Sequence, residues 1–321
     1  MGKVLITARS VAAFEDGPAL LESAGHEVIR CVGKGGWSEE EMIRHIKGMD
    51  AAIIGLDPIS AKVIEAGLPS LKIVARNGVG VNNVDVDAAR KAGVAVTLAL
   101  GGNTISVCEL VFGLMISLAR SIPAQAFAVR QGRWERMLGH ELYGKVLGVI
   151  GTGNIGGEVI KRAHFFGMKI VAYDPVPRQE LCQEYGVTYL RQEQVIGQAD
   201  FLTLHVPAAM STNHMMNKEV FGAMKPTGFL INTARGILVQ ENDLYEALQH
   251  GMIAGYGTDT LTQEPPQSNH PLFSLANVIV TPHCGAYTTE AAIECSVIAA
   301  QEVIRVLSGQ APLYAVNKAG K

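Results

Sequence analysis

The chain has 321 residues, 48% of them hydrophobic and 18% charged, with 35 glycines and a formal net charge of −3. That length is long for one core and points to two domains, and the mild acidity offers no basic patch or stripe for nucleic acid. No apolar run is long enough to span a membrane, and the five cysteines, odd in number and without C-x-x-C spacing, read as reduced thiols of a cytoplasmic protein.

In chain order, Met1-Gly2-Lys3-Val4-Leu5-Ile6-Thr7 enters a strand too soon for a signal peptide. Short apolar runs at Val4 to Ala8, Glu27 to Cys31, Ala51 to Gly55, Lys72 to Ala75 and Val94 to Leu98 predict buried strands. Ser38 to Lys47 and Ser60 to Ala66 predict helices between them, and this alternation implies a parallel sheet covered by helices. Asn103 to Arg120 is apolar nearly all round, which predicts a helix buried between domains or between subunits, with Asn103 as its N-cap. Ser121 to Gly144 has weaker periodicity and carries Arg130, Arg133, Trp134, Arg136 and His140; it reads as an arm reaching a partner chain.

Next comes the most informative stretch. Val146-Leu147-Gly148-Val149-Ile150 runs straight into Gly151-Thr152-Gly153-Asn154-Ile155-Gly156, and Asp174 follows the apolar run Lys169 to Tyr173. Gly151 permits the tight turn, Gly153 keeps no side chain between backbone and a diphosphate, and Gly156 lets helix and strand pack closely. The helix start offers unpaired N–H groups and partial positive charge to the diphosphate. Ile155, Val159, Ile160, Ala163 and Phe166 give the helix an apolar face, and Gly167 is placed to end it. Asp174 is spaced to accept from ribose hydroxyls and would repel a 2′-phosphate, which favours NAD over NADP. Arg178, the one residue that could instead accommodate that phosphate, is read as facing solvent.

Further strands are predicted at Val187 to Leu190, Phe201 to Val206, Phe229 to Asn232, Ile253 to Gly257 and Val278 to Thr281, and Glu290 to Leu307 reads as a long helix returning to the first domain. Three polar residues stand where strands of this second sheet end: Arg235 in Asn232-Thr233-Ala234-Arg235-Gly236, Glu264 before Pro265-Pro266, and His283 in Thr281-Pro282-His283-Cys284-Gly285. In a parallel sheet the carboxyl ends of strands line the ligand crevice, so all three could face one cleft. His205 reads as a structural hydrogen-bonding residue, and Cys284 as a filler of small apolar space rather than a nucleophile. No H-e-x-x-h or other metal-ligand spacing is found, so no metal is expected.

With these motifs in this order, the sequence resembles the NAD-dependent D-2-hydroxyacid dehydrogenase family, and most closely its D-3-phosphoglycerate dehydrogenase-like members. The segments that carry the resemblance are Arg76 to Asp85, Asn103 to Glu109, the glycine turn with Asp174, His205-Val206-Pro207, Asn232 to Gly236, Asp259 to Pro265 and Thr281 to Thr288. It implies an α/β chain of two Rossmann-like parallel-sheet domains. Residues 1–100 and 288–321 would form a flavodoxin-like substrate-binding domain, and 101–287 an inserted NAD-binding Rossmann domain. It also implies that Arg235, Glu264 and His283 are the catalytic residues: His283 exchanges a proton with the substrate oxygen, Glu264 orients and charges the imidazole, and Arg235 holds the substrate carboxylate. Backbone N–H groups of Gly78 and Val79 would be a second substrate anchor. Asn154 and Ile155 would meet the diphosphate and Asp259 the nicotinamide carboxamide, while Val206, Pro207, Thr233, Ala234, His283 and Gly285 lie along the cofactor.

The resemblance leaves the substrate open. Phosphoglycerate dehydrogenases are expected to place basic side chains where this chain reads Gly55-Leu56-Asp57-Pro58-Ile59-Ser60, although Arg76, or Arg133 and Arg136 of a neighbouring subunit, could bind a phosphate. Reduction of glyoxylate, hydroxypyruvate or a longer 2-keto acid is one alternative, and phosphite oxidation on the same fold another. Formate oxidation is disfavoured by the intact glutamate and histidine. A non-enzymatic NADH-sensing corepressor-like protein is a third reading, disfavoured by the short chain ends. Those ends also predict no separate regulatory module, and the buried helix and arm predict a homodimer.

Overall fold

The computed structural model describes residues 1–33 and 36–317, and these divide into two compact units: Met1–Asn103 with Ala286–Lys321, and Thr104–Gly285. The last four residues of the expected first domain, 318–321, lie outside the described residues.

The first unit holds strands β1 (Lys3–Ile6), β2 (Glu27–Arg30), β3 (Ala51–Ile54), β4 (Ile73–Arg76) and β5 (Ala95–Leu98). All pair in parallel in the order β2-β1-β3-β4-β5, the flavodoxin-like arrangement. β3 is Ala-Ala-Ile-Ile and buried throughout, as a strand covered on both faces must be. The helices are α1 (Arg9–Ala12), α2 (Asp16–Ser23), α3 (Glu39–His45), α4 (Ala61–Gly67) and α5 (Val86–Lys91). Ser38 starts α3 with a capping box to Glu41, and Ser60 and Asp85 cap α4 and α5.

The second unit begins with α6 (Thr104–Ala119) and α7 (Ile122–Arg130). It continues as β6 (Val146–Ile150), α8 (Asn154–Phe165), β7 (Lys169–Tyr173), α9 (Gln179–Tyr185), β8 (Thr188–Tyr189), α10 (Gln192–Gln198), β9 (Phe201–Leu204), α11 (Lys218–Ala223), β10 (Phe229–Asn232), α12 (Glu241–Gln249), β11 (Gly255–Thr258) and β12 (Val278–Val280). Its seven parallel strands run in the order β12-β11-β10-β9-β6-β7-β8. Strand order therefore reverses beside β6, between β7 on one side and β9 on the other, and ligands bind at such switch points in open α/β sheets. The chain then returns to the first unit through α13 (Thr289–Leu307), capped by Thr288, whose Ala299, Ala300 and Val303 pack against Val4, Ile6, Ile53 and Ile73. After α13, Val316 N–H donates to Val96 O at 2.9 Å and the buried Glu302 carboxylate accepts from Leu313 and Tyr314 N–H, so the tail covers the outer edge of β5.

Two expectations change. The apolar helix α6 is buried by its own unit: Val111, Leu114, Met115 and Leu118 pack with Val149, Val159, Ile160 and Ile231. Asn103 Oδ1 is buried without a hydrogen-bond partner, so the expected side-chain cap is not made. The stretch from Ser121 to Gly144 is a helix in its first part, α7, followed by an exposed irregular segment in which Trp134 is 85% and Leu138 fully exposed. No single helix among the described residues is long and apolar enough to cross a membrane.

Candidate functional site

The glycine turn between β6 and α8 is shaped by contacts that exclude side chains. Gly151 has φ +92°, and a Cβ there would lie 2.6 Å from His205 O and 3.0 Å from Val206 Cγ1. A Cβ on Gly156 would fall 2.0 Å from Gly151 O, so helix and turn touch backbone to backbone. A Cβ on Gly153 would meet nothing within 4 Å, so the space over the start of α8 is open. Asn154 and Ile155 form the first turn of a twelve-residue helix that no side chain caps, an arrangement that presents N–H groups and partial positive charge to that space.

Asp174, just past β7, reaches back to this turn. Its Oδ2 accepts from Thr152 N–H at 2.7 Å and Thr152 Oγ1 at 3.2 Å, and its Oδ1 from Val176 N–H at 2.9 Å. Arg178 does not face solvent as expected. Its Nη1 donates to Thr152 O at 3.1 Å and Gly153 O at 3.3 Å, and its Nε to Glu180 Oε1 at 2.8 Å. Tyr189 OH donates to Thr152 Oγ1 at 2.9 Å and accepts from Arg178 N–H at 3.1 Å. Sequence reasoning missed this web because it depends on β7 and β8 lying side by side.

The three polar strand-end residues lie in the same unit. The Glu264 carboxyl is partly buried, which favours its neutral form. Hydrogen bonding to His283 and Leu261 N–H, with the charge of Arg235, outweighs that and holds it below the usual carboxylate range. An ionised carboxylate only accepts, so His283 Nδ1 carries the hydrogen in the 2.6 Å contact with Glu264 Oε2. Nε2 of His283 is then the nitrogen left without a hydrogen, and it makes no hydrogen bond among the described residues. His283 has φ +51°, an uncommon conformation for a residue with a side chain. Asp259, 2% exposed, secures the backbone on both sides of it, accepting from Thr281 Oγ1 at 2.5 Å, Cys284 N–H at 2.8 Å and Gly285 N–H at 2.7 Å. Cys284 is a poor nucleophile, since burial and the neighbouring Asp259 push its thiol up.

Arg235 follows β10. The buried Asn232 makes its turn, accepting from Ala234 N–H at 3.0 Å and donating to Arg235 O at 2.8 Å. The guanidinium folds back so that Nη1 donates to Ala234 O at 2.6 Å; burial pushes it below its usual value, with the charge of Glu264 opposing. Gly236 explains the Arg-Gly pair, because a Cβ there would lie 2.1 Å from the Leu261 carbonyl carbon. Thr233 Oγ1 is buried without a partner. Val206 is half-buried beside Gly151, and Pro207 is exposed, its carbonyl accepting from Thr212 Oγ1 at 2.7 Å. His205 packs under the glycine turn, with Nε2 3.0 Å from Thr203 Oγ1, and burial pushes it down to about 3, so it is neutral.

Gly78 and Val79 belong to the first unit. Gly78 N–H is turned onto Arg76 O at 2.9 Å, whereas Val79 N–H, like the N–H groups of the rest of that loop, makes no backbone hydrogen bond among the described residues. Asp57, which stands where phosphoglycerate dehydrogenases are expected to be basic, is 5% exposed and accepts from Thr7 Oγ1 at 2.7 Å and Trp37 N–H at 3.0 Å. Its charge is spent inside that unit.

These residues fit a dinucleotide: the open space over Gly153, the uncapped start of α8, Asp174 beside it and the unpaired Thr233 hydroxyl are what a diphosphate, a ribose and an amide would need. Residues 112–285 match the family described as D-isomer specific 2-hydroxyacid dehydrogenase, NAD binding domain. D-3-phosphoglycerate dehydrogenase of Methanocaldococcus jannaschii is 40% identical over 321 residues, covering 99% of this chain and 60% of that protein. Hydroxypyruvate reductase of Thermotoga maritima is 41% identical over 259 residues, covering 79% of this chain and 83% of that protein. The crystal structure of NAD+-bound 3-phosphoglycerate dehydrogenase of Entamoeba histolytica superposes with a TM-score of 0.83 at 26% identity, covering 99% of each chain. The chain spans 54% to 60% of the length of the archaeal and cyanobacterial phosphoglycerate dehydrogenases that it matches.

Proposed function

Since the chain belongs to the D-isomer-specific 2-hydroxyacid dehydrogenase family, we propose that it is an NAD-dependent oxidoreductase interconverting a D-2-hydroxy acid and its 2-keto acid. The observation that carries this reading is the 2.6 Å pair of Glu264 and His283, in one unit with Arg235 and the open glycine turn. Gly151, Gly153, Gly156 and the N–H groups of Asn154 and Ile155 seat the diphosphate, and Asp174 takes the ribose. Val206, Pro207, Thr233 and Ala234 line the cofactor's path. Asp259 keeps one of about four acceptor positions for the carboxamide while it secures Gly285 and the His283 loop. When bound, the nicotinamide supplies or takes the hydride.

The remaining work falls to this chain's side chains. In the reductive direction His283 Nε2 gives its proton to the substrate oxygen as that oxygen gains negative charge, and Glu264 stabilises the imidazolium before the transfer. In the oxidative direction Nε2 takes the proton. Arg235 keeps unused donors beyond the one given to Ala234 O, and its fork suits a carboxylate. Asp174 disfavours a 2′-phosphate, so NAD is preferred to NADP.

D-3-phosphoglycerate and 3-phosphohydroxypyruvate are the first substrate pair to try, on the similarity to the archaeal phosphoglycerate dehydrogenase. Hydroxypyruvate comes second, because the Thermotoga enzyme is matched over most of its own length. We also propose a cytoplasmic homodimer: the cysteines are free, and large apolar side chains of the second unit stand exposed at Phe127, Trp134, Leu138, Tyr143 and Phe165. Light scattering at micromolar concentration would show twice the chain mass; a monomer contradicts it.

The test is cofactor oxidation against glyoxylate, hydroxypyruvate, pyruvate, 2-ketobutyrate and 3-phosphohydroxypyruvate, with NADH and NADPH in parallel. Turnover with NADH on one of them supports the reading. Silence with NADH still bound would overturn it and favour phosphite oxidation or an NADH-sensing role.

A further inference from the structure

A second carboxylate–imidazole pair, Glu241 and His270, touches the loop that carries Glu264. Glu241, the first residue of α12, is about one-fifth exposed, and its Oε1 accepts from Thr262 N–H at 2.8 Å. Its Oε2 lies 3.3 Å from His270 Nε2, and the His270 side chain is 15% exposed. His270 Nδ1 is buried with no partner. An unpaired buried N–H costs more here than an unpaired lone pair beside a carboxylate that can only accept, so Nε2 carries the hydrogen and donates to Glu241. His270 is steadied by Phe273, 5.2 Å away between ring centroids, on a 3₁₀ turn whose Leu272 is fully buried.

Glu241 thus grips the 261–270 loop near both ends, at Thr262 and at His270, and Glu264 lies between these points. The loop has a third restraint, the close approach of Gly236 to the Leu261 peptide. Glu264 needs such support: it is partly exposed, among the described residues its one hydrogen bond besides that with His283 is accepted from Leu261 N–H within its own turn, and it must meet His283 at 2.6 Å.

We infer that Glu241 and His270 are positioning residues that clamp this loop and thereby hold Glu264 against His283. The inference deepens the proposed function and rests on its assignment of Glu264 and His283. The charged groups around the imidazole are Glu264 at Nδ1, Arg235 acting on Glu264, and Asp259 on the flanking backbone. Loosening the clamp changes the first of these and leaves the other two in place.

The experiment compares Glu241→Ala, Glu241→Gln and His270→Phe with the parent in kcat and KM across pH, in NADH affinity, and in the titration of the His283 imidazole followed by NMR without substrate. Glu241→Ala is expected to lose about tenfold or more in kcat through misplacement of the pair. NADH affinity should stay within about twofold, and the imidazole should titrate at lower pH because its carboxylate partner is less well held. Glu241→Gln, whose amide oxygen still accepts from Thr262 N–H but whose NH2 group faces the His270 Nε2 hydrogen, keeps one of the two grips and should recover only part of kcat. If Glu241→Ala does not fold, His270→Phe must shift the imidazole titration in the same direction. The proposal is overturned if folded variants leave kcat and that titration unchanged, or if kcat falls only in parallel with NADH affinity. A parent without turnover would sink the proposed function, while the NMR titration would still decide the clamp.

Discussion

Each unit has a buried parallel strand followed by a turn and a helix, β1 to α1 in the first and β6 to α8 in the second, yet only the second of these junctions has room for a diphosphate. After β6 come Gly151 and Gly153, an open space and a twelve-residue helix. After β1 come Thr7 and Ala8, both buried, and a helix of four residues. There Arg9 donates to Gly33 O at 3.0 and 2.6 Å, and Thr7 Oγ1 bonds to Asp57 across the carboxyl ends of β1 and β3. Topology supplies a switch point in both sheets, but side-chain volume and helix length decide whether a ligand fits there.

The comparison sharpens most at the chemistry proposed for the second unit. His283→Ala should lower turnover by about 1,000-fold, within the range for loss of a general acid, with NADH affinity within about twofold. A residual rate within a few-fold of the parent would refute the proton-exchange role. At the turn, Gly153→Ala should leave thermal stability intact, because its Cβ meets no protein atom, yet weaken NADH binding by about tenfold or more, or ~1.4 kcal/mol. Unchanged affinity would mean that the open space is not where the diphosphate sits. In the first unit, Thr7→Val strands Asp57 Oδ2 and should cost about 1–3 kcal/mol of stability by denaturant titration without altering NADH affinity. An affinity change there would break the contrast between the junctions.

The smallest effect concerns pH. Glu264 is held below its ordinary 4.5, so the folded chain binds fewer protons than the unfolded one near that value. The stability it contributes is present above its unfolded pKa and is lost as pH falls through the folded one. The difference in melting temperature between the parent and Glu264→Gln should therefore be largest near neutrality and shrink on acidification. A difference that grows in acid would contradict the assignment.

Much of this molecule is legible along the chain. Parallel strands covered on both faces read as apolar runs, which is why β3 and β6 stand out. The glycine turn is equally plain, since its demands are local: a positive φ, a missing Cβ and a helix start. The candidate site is legible in part. Arg235, Glu264 and His283 carry the family resemblance, but that Glu264 and His283 meet at 2.6 Å follows from the loops after β11 and β12 coming together. Arg178 looked solvent-facing because nothing in its neighbours announces Thr152 and Gly153, more than twenty residues earlier. The pairing of Asp57 was not legible because its partners, Thr7 and Trp37, stand fifty and twenty residues away.

The sequence by itself determined the α/β class, the alternation into two sheets and the place of the glycine turn, because each rests on residue size, backbone freedom and apolar periodicity within a short window. Tertiary structure decided which polar groups pair: Glu264 with His283, Arg178 with the glycine turn, Glu241 with His270, Asp57 with Thr7. A hydrogen bond forms only between atoms about 3 Å apart, and which distant residues come that close depends on how strands are ordered in a sheet.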